Sequence, residues 1–87
     1  MVVFEVLSKS TEGYDRGLKF MHYRRIPSLR EYVLIAQTIP HIDVFTKEAN
    51  GKWSLTEFDG LHASCELVSV QVSFPLTEIY DGVTLEA

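Results

Sequence analysis

The first seven residues, Met1-Val2-Val3-Phe4-Glu5-Val6-Leu7, read as a β-strand apolar on both faces and interrupted only by the Glu5 carboxylate. A strand of that kind asks for cover on both sides. An unpaired ion inside it costs several kcal/mol, so Glu5 requires a metal, a cation or a raised pKa. The polar break Ser8-Lys9-Ser10-Thr11 follows, with Ser10 or Thr11 as a plausible N-cap. Residues 12 to 25 then read as a helix that Pro27 stops, because the residue before a proline is pushed out of the α region. Tyr14, Leu18 and Met21 follow the helical period and predict a core stripe widened by Phe20. Gly13 and Gly17 weaken the helix.

Glu31-Tyr32-Val33-Leu34-Ile35-Ala36 is a second short apolar run and suits a strand parallel to the first, giving a right-handed β-α-β unit. Beyond Pro40 the pattern changes to alternation over His41–Lys47 and Lys52–Phe58, and the intervening Asn50-Gly51 is a strong hairpin signal. Asp59-Gly60 marks another turn. Val68, Val70, Val72 and Phe74 alternate with polar residues and predict one further strand with a wet face. Pro75 opens a last short helix over Leu76 to Tyr80, closed by Asp81-Gly82. The expected fold is mixed α/β (α+β): a β-α-β unit, a hairpin, one strand and a short C-terminal helix, in a single domain over residues 1–87.

At 87 residues one core is feasible and two are not. Hydrophobic content of 46% excludes wholesale disorder. No apolar run approaches the roughly 18 residues that span a bilayer, and the N-terminus lacks signal-peptide character, so a cytoplasmic location is the expectation. The lone Cys65 excludes an internal disulfide and a cysteine-based zinc site, and reads as a small buried hydrophobe. A net charge of -4 argues against a dedicated nucleic-acid module, although six of the eight basic residues fall between Lys9 and Arg30. Those six suit a solvated helix face or a locally positive patch.

Asp15, Lys19 and Tyr23 lie at i, i+4 and i+8 and share one side of the helix. Lys19 can pair with Asp15 on the surface or return to Glu5 at the strand end. A carboxylate beside a lysine suits magnesium-assisted phosphodiester hydrolysis, which needs hard oxygen ligands and a cation near the phosphate. His22, His41 and His62 show no metal-ligand spacing and read as surface or edge residues. Ser8 and Ser10 have no histidine partner in a recognisable hydrolase pattern.

The run Val3-Phe4-Glu5-Val6-Leu7-Ser8-Lys9-Ser10-Thr11, with Asp15-Arg16, Lys19, Tyr23 and Pro27-Ser28-Leu29-Arg30-Glu31-Tyr32, resembles the Uma-two family of restriction-endonuclease-like proteins in the PD-(D/E)xK nuclease superfamily. The resemblance continues through the Asn50-Gly51 hairpin to Leu76-Thr77-Glu78-Ile79-Tyr80. It implies that Glu5 is the acidic residue of the (D/E)xK strand and a metal ligand, with the Val6 carbonyl as a second ligand. Leu7 stands where the superfamily lysine usually is, and Lys19 resembles its relocated substitute; Ser8, Asp15 and Tyr23 support the site.

Several departures bear on activity. Family members usually have preceding elements that bring a metal-binding aspartate, whereas Met1 opens inside the glutamate strand. Lys9 replaces a common proline, and Ala36-Gln37 stands where an aspartate is often found. The expectation is the C-terminal part of an endonuclease-like fold that binds Mg²⁺ weakly and is inactive or nearly so on DNA. The alternative is a non-catalytic protein that forms homo-oligomers through exposed sheet edges.

Overall fold

A computed structural model describes residues 1–8 and 12–81. The strands are β1 (Val2–Val6), β2 (Glu31–Ile35), β3 (His41–Lys47), β4 (Trp53–Asp59), β5 (Ser64–Leu67) and β6 (Val72–Pro75). Between β1 and β2 run α1 (Glu12–Tyr14), a π-helical segment (Asp15–Lys19) and α2 (Phe20–Tyr23); α3 (Leu76–Ile79) follows β6. β1 to β4 form one sheet in chain order, with β1 parallel to β2 and the other pairs antiparallel, while β5 and β6 form a separate antiparallel pair. The expected mixed sheet with a β-α-β start and a following hairpin is therefore present.

Residues paired across neighbouring strands share a face, and successive residues alternate. On one face lie Val3, Glu5, Tyr32, Leu34, Phe45, Asp43, His41, Glu57 and Trp53; on the other, Val2, Val33, Ile35, Ile42, Val44 and Phe58. The helix covers the first face: Phe20 is buried with Leu7, Tyr32 and Leu34, against Phe45 and Trp53. Its ring stacks on Tyr32 at 4.9 Å between centroids. The β5–β6 pair and α3 cover the second face, where Cys65, Leu67, Leu76 and Tyr80 close a core over Val33, Ile42 and Val44. Cys65 is buried, and burial pushes its thiol pKa up to about 11, so it behaves as the small hydrophobe expected.

The β3–β4 hairpin turns at Asn50-Gly51, with Asn50 Oδ1 accepting from the Lys52 N–H and Gly51 at φ 83°. An L-residue with a side chain is strained at that angle. Tyr80 pins the far end of the sheet, its hydroxyl donating to the Ala36 carbonyl at 2.6 Å and accepting from the His41 N–H at 3.3 Å.

The structure departs from the sequence pattern in three places. Tyr14, Leu18 and Met21 point outward instead of forming a core stripe. The face that meets the sheet is Arg16, Lys19, Phe20 and Tyr23, selected by the aromatic cluster and by two ion pairs with strand carboxylates. The single strand expected over Val68–Phe74 is broken by a turn between β5 and β6, with Gln71 in the left-handed region at φ 54°, so Val68 and Val70 are exposed. Beyond Val2, β1 is covered on one face only, leaving Phe4 50% and Val6 61% exposed on the other. The N-cap expected at Ser10 or Thr11 and the closure at Gly82 lie outside the described residues.

Candidate functional site

Glu5 sits near the C-terminal end of β1 on the helix-covered face, opposite Leu34. The crossover carries the helix back over that strand, and Lys19 Nζ reaches Glu5 Oε1 at 2.8 Å. Tyr23, one turn on, donates its hydroxyl to the same oxygen at 3.4 Å. A cation and a phenol thus accompany the charge in the strand. Ser8 is half-buried just past β1, and Val6 ends β1 opposite Ile35 with its side chain exposed. The Asp15 side chain lies outside what the structure describes.

A second charged group lies two strands away, in the same row of the sheet as Glu5 and separated from it by Leu34. Two strand spacings are about 10 Å. Asp43 is buried there, its side chain 3% exposed; Arg16 donates to Oδ2, and His41 Nε2 is 2.8 Å from Oδ1. On β4, Asp59 Oδ1 is 3.0 Å from His41 Nδ1 and Glu57 Oε1 is 3.6 Å from Nε2. The sequence pattern makes His41 a surface or edge residue without metal-ligand spacing; in the structure it is the centre of this group. The signal is the i, i+2 alternation of His41 and Asp43, combined with the hairpin register that sets them opposite Asp59 and Glu57. Among the described residues, Arg16 and Lys19 turn inward to face carboxylates of the sheet, which reduces the positive patch suggested by the charge distribution.

Glu31 is the most buried carboxylate among the described residues, on the opposite face, although the sequence places it in an apolar run. Its Oε2 accepts from Thr46 Oγ1 at 3.0 Å, and its Oε1 accepts from the Ser69 N–H at 3.0 Å and the Ser69 hydroxyl. That arrangement fastens the β5–β6 turn to the sheet. It leaves no opening for a substrate, so Glu31 is structural.

Burial disfavours the charged form of His41, but hydrogen bonds to Asp59 and Asp43 outweigh it and hold the pKa above the ordinary value of 6.5. A raised folded-state pKa adds stability that is fully present below the unfolded value and is lost as pH rises through the folded value. In a chelator-containing buffer, urea unfolding should therefore show stability falling as pH climbs from about 6.5 to just beyond the folded pKa. His41→Gln should flatten the profile over that window.

The comparisons with known proteins bear on the Glu5 site. The Uma2 family, described as "Putative restriction endonuclease", matches residues 1–78. The chain belongs to the Uma2 family. The chain is 40% identical over 82 residues to uncharacterized protein slr1290 of Synechocystis sp., covering 94% of this chain and 43% of that protein. It is 38% identical over 71 residues to uncharacterized protein sll1609 of the same organism, covering 82% of this chain and 40% of that one. The chain thus spans about two fifths of the length of these two relatives. No solved structure matches it. As a Uma2 chain, it sets Glu5 and Lys19 in contact within an endonuclease-like mixed fold. Among the described residues, no helix is long and apolar enough to cross a membrane.

Proposed function

We propose that this chain carries the glutamate-and-lysine part of a metal-dependent DNA endonuclease site and does not cleave DNA by itself. The observation that supports this reading is the 2.8 Å contact between Glu5 and Lys19 in a chain of the Uma2 family. In that role Glu5 offers a carboxylate oxygen, with the Val6 carbonyl beside it, to a hard divalent ion such as Mg²⁺. Lys19 holds positive charge where a scissile phosphate gathers negative charge. Tyr23 donates to the same carboxylate oxygen. Among the described residues, no group of three donors suited to one ion includes Glu5. A single carboxylate already paired with a lysine does not hold Mg²⁺ against a phosphate, so the described residues do not fit the ion as a complete site.

A second reading, a non-catalytic protein that assembles with copies of itself, is favoured by one observation. β1 is the edge of the sheet, and Phe4 and Val6 stand exposed on it. A free apolar edge is a template for pairing with another strand. Both readings are tested on one preparation. Supercoiled plasmid incubated with Mg²⁺ or Mn²⁺ should stay intact with the chain and with Glu5→Ala alike. Nicking by the chain that disappears in Glu5→Ala overturns the inactivity and shows a complete site. Sedimentation of the same sample reports assembly directly: a monomer at micromolar concentration removes the second reading.

A further inference from the structure

We propose that His41, Asp43 and Glu57 form a site for a first-row divalent transition-metal ion, separate from Glu5. One donor atom from each lies within 4.8 Å of the others: His41 Nε2, a carboxylate oxygen of Asp43 and one of Glu57. The Nε2 to Oδ1 separation of 2.8 Å and the Nε2 to Oε1 separation of 3.6 Å are close to the spacing of neighbouring ligands around one ion. Metal–ligand bonds of 2.0–2.2 Å put adjacent donors about 3–3.5 Å apart.

The imidazole makes this more than a patch of acids. With Asp59, 3.0 Å from Nδ1, accepting the Nδ1–H hydrogen bond, a neutral His41 turns its Nε2 lone pair towards Asp43 Oδ1. This is the carboxylate–histidine arrangement that orients metal-bound imidazoles. Two lone pairs facing each other at 2.8 Å hold together only with a cation between them, either a proton or a metal ion. Charge points the same way: three carboxylates against the Arg16 guanidinium on Asp43 leave two net negative charges when His41 is neutral. Arg16 occupies Oδ2 and leaves Oδ1 to face the imidazole.

The scaffold is suitably rigid, because the ligands stand on neighbouring antiparallel strands whose register the Asn50-Gly51 turn fixes. Asp43 is the buried floor, and Glu57, 63% exposed, is the open side through which an ion enters and where water completes the coordination. One imidazole nitrogen with two carboxylate oxygens selects Mn²⁺, Co²⁺ or Zn²⁺ over Mg²⁺ and Ca²⁺, which prefer all-oxygen sites.

The test titrates the whole chain with Co²⁺ at mildly alkaline pH, following visible absorption, and repeats it with Zn²⁺ by calorimetry. Saturation at one ion per chain is expected, unaffected by a tenfold excess of Mg²⁺. His41→Gln and Glu57→Gln should each weaken binding at least tenfold, and Asp59→Asn on the order of tenfold through the loss of imidazole orientation. Glu5→Gln should leave it unchanged. Glu57 and Asp59 are surface-exposed, so their variants keep the test decisive even if His41→Gln folds poorly. Binding that survives Glu57→Gln but fails in Glu5→Gln overturns the proposal, because the ion then sits at Glu5. Non-saturable binding, or displacement by equimolar Mg²⁺, overturns it as well.

Discussion

Phe20→Ala should lower the unfolding free energy by about 3–5 kcal/mol, the usual range for deleting a buried phenylalanine ring. Phe20 is the buried residue of α2, stacked on Tyr32 and meeting Phe45 and Trp53 at centroid distances of 4.5 and 5.3 Å. The ring also carries the Arg24 guanidinium 5.0 Å above it. Its loss therefore leaves a cavity under the helix and releases the segment that presents Arg16 and Lys19 to Asp43 and Glu5. Domains of this size have small reserves, so the variant should be largely unfolded at room temperature. Chemical denaturation against wild type measures this; a loss under about 1 kcal/mol would show that the helix is held by something other than this cluster.

Glu31→Ala is expected to cost about 3 kcal/mol despite removing a charge from the interior. The fully buried carboxylate is the common acceptor for Thr46 Oγ1, the Ser69 N–H and the Ser69 hydroxyl, and its removal takes away all three hydrogen bonds at once. A hydrogen bond to a charged acceptor is worth about 1.5–3 kcal/mol, and the exposed Ser69 regains part of its share from water. The local consequence is equally specific: the β5–β6 turn should come loose from β2. Amide hydrogen exchange should show Ser69 and its neighbours losing protection before β2 and β3 do. Glu31→Gln keeps an acceptor oxygen and should be milder.

The architecture is legible in the sequence where local rules and tertiary packing agree. The Asn50-Gly51 turn, the alternation on either side of it and the parallel apolar runs around the helix correspond to β1 to β4. The failure of the Tyr14, Leu18 and Met21 stripe has a physical origin. Periodicity identifies which residues share a helix face, but which face turns inward depends on what waits on the sheet. Here Glu5 and Asp43 draw Lys19 and Arg16 inward, and those residues lie on another side of the helix. The role of His41 is hidden for a related reason. Its partners are 16 and 18 residues away, on β4, and become neighbours only through the register of the hairpin. Glu31 is obscure because a single charge at the start of an apolar run gives no hint that Ser69, 38 residues later, folds over it.

The π-helical segment gives the crossover a tolerance for length. In five residues, Asp15–Lys19, it accommodates one more residue than an α-helical turn while Arg16 and Phe20 stay on one side. Gly17 is exposed, and a methyl group at its position would meet nothing within 4 Å. Excising it would bring Arg16 and Phe20 to a three-residue spacing that still shares a helix face. Excising Met21 from the regular turn beyond would rotate everything upstream by about 100° relative to Tyr23. A deletion at Gly17 should therefore keep the inward cations in place, whereas a deletion beyond Phe20 should not.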